Sequence, residues 1–483
     1  MRLIAALLLC SMPAMAQDIT WKPLSTDLNS GPVYVGPRED ADTSESEFQR
    51  LDQLLTSQNS EPAETSQSTA PDIAPSSKPE PVAPKRLAKT PVPSQAVDPR
   101  TIQPEPLSEQ EIDYARTAWS YFAQNLHPET GLVPSVRNFK SMTLWDEGGY
   151  LLALISAHRL GLVSRAETSD RLSKAFTSLS RLPLLKSKVP NKAYNIEKLI
   201  MTDYANKPQP EGIGCSALDI MRLMSGLLVA TQEFPEYLPM VQLIVDRWDL
   251  KVLARDQRFS CIAILHKKHK KRVQEGRIGY EQYAGVTGQI LGLPVDLAYQ
   301  YKPILRWQQY FDIRLPADNR TAKTHGVSAV TTSEPFLLEV LEYGWRPEAF
   351  EVAMAVFEAQ LHRYNRTGQL TSLSEDHIKG APYFAYNGII VDWEPFVSVT
   401  AGRKNVSDKR GISAKASFGW WAITRHPYTF KLLDAVSQLQ TEEGWMAGLF
   451  EADLSKNEIL TLNTNAMILE ALHYKAFGPL YRF

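Results

Sequence analysis

The chain has 483 residues, 43% of them hydrophobic and 22% charged, with a formal net charge of −2. That composition supports a packed soluble core spread over one to three domains. Near-neutral charge argues against a general nucleic-acid binder.

The chain opens "MRLIAALLLCSMPAMAQ", with Arg2, an apolar run and "AMA" before Gln17. This predicts a secretory signal peptide, residues 1–16, cleaved after Ala16. The run is too short for a membrane anchor, and bulky Leu9 before Cys10 argues against lipidation. No later stretch is apolar enough to span a bilayer, so export to a Gram-negative periplasm is expected. Cys215 and Cys261 remain after cleavage. Export permits a disulfide between them. Two lone cysteines far apart in sequence are more often simply buried thiols, and two are too few for a cysteine-rich zinc site.

Residues 17–107 become rich in Pro, Ser, Glu and Ala with almost no aromatics. Such a stretch cannot bury enough apolar surface to offset its ordering entropy. A disordered tether is expected, through which a protein partner could be engaged. The folded part is placed at 108–483. Ser108 with Glu111 makes a capping box, and Ile112, Ala115, Trp119 and Phe122 follow at helical spacing. This predicts a half-buried outer helix. From Tyr150 to Leu162 the sequence is apolar on nearly every side, the mark of an inner helix.

That alternation continues. Outer 166–182 precedes inner 216–231, and 236–253 precedes 279–292. Then 295–312 precedes 333–343, 347–364 precedes 413–424, and 428–440 precedes 463–475. The six pairs share no fixed repeat period. They predict an all-α fold, an (α/α)6 toroid, with a bundle or solenoid as the plain alternative. One strand-like stretch, 383–393, suggests a small β-hairpin in a long loop. The turns in "NLHPETGLVPS" (125–135), "YNRTGQLTSLSED" (364–376) and "TEEGWMAGLFEAD" (441–453) each lead from an outer to an inner helix. In a toroid all three meet at one rim, where function usually sits.

Acids recur at the starts of the inner helices: Asp146, Asp219, Glu281 and Glu334. Helix capping accounts for any one of them, because Thr143–Asp146 and Ser216–Asp219 match capping boxes. As a set they would gather carboxylates in one cleft. The connection from Asn365 to Ile412 is long for an idle loop. It carries Glu375 and Asp376, then Tyr383, Tyr386 and Asn387. Glycoside chemistry needs such acids: one protonates the leaving oxygen, and another activates water or attacks carbon. Asp146, Glu375 and Asp376 are the expected acid–base groups, with Glu281 and Glu334 next. Asp219 is expected to orient substrate or cap its helix. Trp145, Tyr194, Tyr383, Tyr386 and Trp445, with Asn387, are the expected sugar contacts, core packing being the alternative for each aromatic. The basic run "HKKHKKR" (266–272) reads as a solvated loop or a contact for anionic glycan. No metal motif, phosphate loop or nucleophile turn is visible, and no cofactor is expected.

The phrases "TLWDEGGYLLALISAHRLGL", "GIGCSALDIMRL", "EGRIGYEQYA", "TSEPFLLEVLEYGW", "RTGQLTSLSEDHIKGAPYFAYN" and "NTNAMILEALHYK" together resemble a bacterial family, domain-of-unknown-function family 3131 (DUF3131). The resemblance runs from about Glu111 to the C-terminus. That family is similar to glucoamylase-like α/α toroids linked to β-glucan metabolism. The resemblance highlights Trp145, Asp146, Ser216, Asp219, Glu275, Glu281, Glu334, Glu375, Asp376, Tyr383, Tyr386 and Asn387. Cys215 stands where the family pattern suggests Trp. The leading expectation is an exported glycoside hydrolase or transglycosylase acting on an envelope or extracellular glucan, with an oligo- or polysaccharide as partner. A non-catalytic glycan-binding or scaffold protein of an envelope complex is the first rival. A purely protein-binding toroid is the second.

Overall fold

The computed structural model describes residues 97–483, apart from 187, 265–269 and 326. The expected signal peptide, most of the tether, and both histidines of the basic run lie outside the described residues. The end of the expected tether packs on the domain: Glu105 N–H donates to Lys475 O at 2.9 Å, and its carboxylate pairs with Arg425 and Lys475 at 3.2 Å each.

The inner helices are α2 (Leu144–Arg159), α4 (Ala217–Glu233), α6 (Tyr280–Ile290), α7 (Glu334–Tyr343), α9 (Ala414–Thr424) and α11 (Leu462–Phe477). Each packs on the next, and α11 returns to α2, so the ring closes. Their burial follows from composition. Every residue of α9 is buried, as is nearly all of α2. Each Leu or Ile in these walls contributes about 1.5–3 kcal/mol by leaving water. Where α2 crosses α4, a Cβ on Gly148 would stand 2.6 Å from the Arg222 carbonyl. Only glycine permits that approach.

The outer helices are α1 (Glu109–Asn125), α3 (Arg165–Arg181), α5 (Leu238–Val245), α8 (Pro347–Thr367) and α10 (Pro427–Ser437). The capping box at Ser108 and Glu111 is present. The expected helix at 236–253 is reduced to α5 and a 3-10 turn, Leu250–Leu253. The expected outer helix at 295–312 does not form. After one turn, Asp296–Tyr299, the chain makes antiparallel strands Leu305–Tyr310 and Ile313–Asp318. Pro303 interrupts the helix, and "LRWQQY" is aromatic and alternating, which suits a half-buried strand better.

The expectation of an all-α chain is therefore corrected. Short antiparallel sheets collar one end of the ring. Ser141–Thr143, Val330–Thr331, Gly411–Ser413 and Lys456–Leu460 are strands that run almost directly into α2, α7, α9 and α11. The single hairpin expected at 383–393 is replaced by parts of two sheets. Glu375–His377, Phe384–Asn387 and Ser398–Val399 form one, and Ile390–Val391 joins Val330–Thr331 in another. The three recurring turns all touch first turns of inner helices: Ser135 Oγ bonds Asp146, Ser374 Oγ bonds Glu334, and Trp445 N–H bonds Asn465.

Beneath the collar the axis of the ring is filled. Arg222 donates to Glu342 at 2.8 Å and Glu470 at 3.0 Å, while Tyr283 and Ser225 also donate to Glu342. Side chains from α4, α6, α7 and α11 thus meet at one point and close the floor. A disulfide joins Cys215 to Cys261, Cα atoms 5.6 Å apart. It anchors the residue before the α4 cap to strand Arg258–Ile264. No helix among the described residues is long and apolar enough to cross a membrane.

Candidate active site

The first residues of the inner helices gather around one mouth. There they present Asp146, Asp219, Tyr280, Glu334, Lys415 and Asn463. Trp145 spans the floor. Its ring lies 5.6 Å from Tyr280 and 5.8 Å from Tyr283, both on α6, and the Arg222 guanidinium sits 4.9 Å from its centroid.

One side of the mouth is built on the strand Glu375–His377. Its register pairs Glu375 with Tyr386 and Asp376 with Ala385. Neighbouring strand residues point to opposite faces, so Glu375 and Tyr386 share the half-accessible face while Asp376 turns inward. The Tyr280 hydroxyl donates to the Glu375 carboxyl. Burial and the nearby charge of Glu334 push Glu375 up to about 8. It therefore carries a proton near neutral pH. Burial pushes Asp376 up to about 6; its Oδ1 accepts from Ser413 at 3.1 Å and lies 3.6 Å from Lys415 Nζ.

Glu334 is engaged on both oxygens. Asn463 donates to Oε1 at 2.8 Å, and Lys415 and Ser374 approach Oε2 at 2.7 and 3.2 Å. Despite burial, the Lys415 ammonium and these donors hold its carboxyl below the ordinary range.

On the Trp145 side, Asp146 Oδ2 accepts from Ser135 Oγ at 2.5 Å and Thr143 Oγ1 at 2.6 Å. Oδ1 accepts nothing among the described residues. Burial raises this carboxyl and the two hydroxyls oppose the rise. Asp219, half-accessible, accepts from Ser216 Oγ at 2.8 Å and is pushed by burial to about 6. Glu275 accepts from the Ala217 amide at the start of α4, and burial pushes it up to about 7.

Several expected site residues lie elsewhere. Glu281 is engaged by Arg320 at 2.7 Å and Arg258 at 3.2 Å, in a buried ion cluster with Asp318. Its neighbour Tyr280 takes the mouth position. Trp445 is fully buried, packs on Tyr114 and Phe418, and donates Nε1–H to Tyr114 O at 3.1 Å. It is a wall residue and no sugar platform. Tyr194 is fully buried, its hydroxyl donating to Pro183 O and accepting from Asn191 N–H. Asn387 is buried and braces the long loop through Ser374 O and Ser398 Oγ, each at 2.8 Å. Tyr383 is also buried, with φ +65° in the turn after Gly380. Tyr280, Lys415 and Asn463 were not foreseen. A lone lysine in the apolar run "SAKASFGWW" was the available signal, since a charge in a helix without a polar face must have a buried partner.

A closed inner ring of helices set inside outer ones is the α/α-toroid architecture, and solved structures share that fold. A candidate glucoamylase from Bacteroides fragilis aligns with TM-score 0.56 at 13% identity, over 80% of this chain and 94% of its own. An endo-β-1,2-glucanase from Chitinophaga pinensis, in complex with sophorotriose and glucose, aligns at 0.55 and 12%, over 78% and 94%. An endo-β-1,2-glucanase mutant from Talaromyces funiculosus, with β-1,2-glucan, aligns at 0.52 and 9%, over 77% and 84%. At these identities the likeness is one of fold. Within that class the chain belongs to DUF3131, described as a protein of unknown function, whose family model matches residues 113–478. No curated protein matches the sequence.

Proposed function

We propose that this protein is an exported glycoside hydrolase acting on a β-glucan, with Glu375 as general acid and Asp146 as the carboxylate that activates water. The observation that carries this reading is the placement of a buried, tyrosine-bonded carboxyl and a hydroxyl-braced one around a single aromatic floor. Glu375 reaches the mouth with its proton held near neutral pH, as an acid that protonates a leaving oxygen must. Asp146 is fixed through one oxygen and open at the other, as a base that holds a water must be. Trp145 and Tyr386 offer half-accessible faces for sugar rings. Asp219 orients the substrate. The glucanases that share the fold favour a β-1,2-linked chain as the first substrate to try.

The test is product analysis of purified protein on linear and cyclic β-glucans, with Glu375→Gln and Asp146→Asn alongside. Each variant is expected to lose about 100-fold or more in turnover with an unchanged melting temperature. Full sugar release by both variants would remove the assignment. Glucan binding without release by the wild type would favour the glycan-binding alternative.

A further inference from the structure

We propose that the buried Lys415–Glu334 pair is the positioning element of this site, with Lys415 fixing the Glu375 backbone and the Glu334 charge facing the Glu375 side chain. The inference rests on the reading of Glu375 as the acid. It also gives Glu334, expected from the sequence as a reacting group, a different part.

Lys415 sits at the start of α9 in an all-buried helix, and its side chain is 4% exposed against 3% for Glu334. Its ammonium has two acceptors within hydrogen-bond distance and a third, a carboxylate, just beyond it. These are Glu334 Oε2 at 2.7 Å, the backbone carbonyl of Glu375 at 2.5 Å, and Asp376 Oδ1 at 3.6 Å. Burying an ammonium and a carboxylate is costly, and well-packed apolar residues would do as well for stability alone. What an apolar pair could not do is hold a carbonyl in a strand three residues long. The bond to Glu375 O locks the backbone from which the acid projects.

The groups facing Glu375 come from every element around it: Glu334 on α7, Lys415 on α9, Tyr280 on α6, Asp376 on its own strand, and Tyr386 across the strand pair. Glu334 raises the proton affinity of Glu375, and Lys415 and Tyr280 lower it. Glu334 itself stays ionised because Lys415, Asn463 and Ser374 hold its charge. Removing the Glu334 charge alone removes one raising influence and leaves Lys415 less compensated. Both changes act in the same direction, so the sign is fixed.

The experiment titrates Glu375 directly, by the infrared carboxyl band that disappears in Glu375→Gln. In Glu334→Gln the midpoint is expected to fall by about one pH unit. Asp376 remains beside Lys415 in that variant, so the ammonium is not left alone. In Glu334→Gln/Lys415→Met, where both charges are gone, the midpoint is expected to return at least halfway. Removing only packing would give neither the drop nor the recovery. An unmoved midpoint in the single variant, or no recovery in the double, overturns the proposal. Because the band is read without substrate, inactivity of the wild type on every glucan would count against the proposed function alone.

Discussion

Two regions that meet at the adjacent residues Tyr280 and Glu281 put the same residue type to opposite ends. At the mouth, Glu375 is half-accessible, bonded by a tyrosine and pushed up to about 8. In the wall behind, Glu281 is fully buried and held by two arginines. Both are acids beside the start of an inner helix. The aromatics divide in the same way: Trp145 lies on the accessible floor, while Trp445 is enclosed by Tyr114 and Phe418. A carboxylate matched by guanidinium has no proton to give. A carboxyl desolvated by burial beside a like charge has one. What separates the members of each pair is which groups the side chain faces, since the residue type is shared.

The sharpest way to break that contrast uses the tryptophans. Trp445→Ala is expected to cost about 3–5 kcal/mol of stability, read as a lowered denaturant midpoint. Trp145→Ala is expected to raise KM for glucan about tenfold with a smaller loss of stability. The reverse pattern would exchange wall and mouth. Next comes Glu281→Gln. It leaves Arg258 without its carboxylate while Arg320 keeps Asp318, so a loss of about 3 kcal/mol is expected. Its pH–rate profile should coincide with the wild type, because Glu281 does not face Glu375. A shifted profile would bring Glu281 into the reaction.

The smallest effect tests the cost of an acid with no hydrogen-bond partner among the described residues. Glu147 is fully buried, both carboxyl oxygens lack hydrogen-bond partners among the described residues, and burial pushes it up to about 8. Its folded value lies above its unfolded one. Between them the unfolded chain binds fewer protons, so stability declines as pH rises from about 4.5 to about 8. Glu147→Gln should match the wild type at pH 4 and exceed it by about 1–3 kcal/mol at pH 8. A constant difference across that window would show that Glu147 finds a partner in solution.

Much of the ring was legible because burial leaves a mark on composition. An inner helix touches protein on all sides, and "GYLLALISAHRL" or "SALDIMRLMSGLLVAT" has no polar face to offer water. Outer helices with one stripe, such as α8, were equally plain. The failure at 295–312 arose where strand and helix patterns overlap and no register was visible. Pro303 and the alternating aromatics favoured a hairpin that only its neighbours could confirm. Glu375 was singled out because it stands in a loop too long to be idle. The facing of Glu281 was not legible for the same reason that its helix was found. A helix apolar all round carries no periodic signal of its rotation, so nothing local says whether Tyr280 or Glu281 faces the mouth.

The amino-acid order by itself determined the alternation of buried and half-buried helices, the caps that start them, and the acids and aromatics at those starts. These are local matters of apolar spacing and backbone hydrogen bonding. Only the tertiary structure decided the closure of α11 onto α2, the disulfide, and the partner of each buried charge. Those depend on residues distant in the chain, and the environment that sets a carboxyl's proton affinity exists only once they have been brought together.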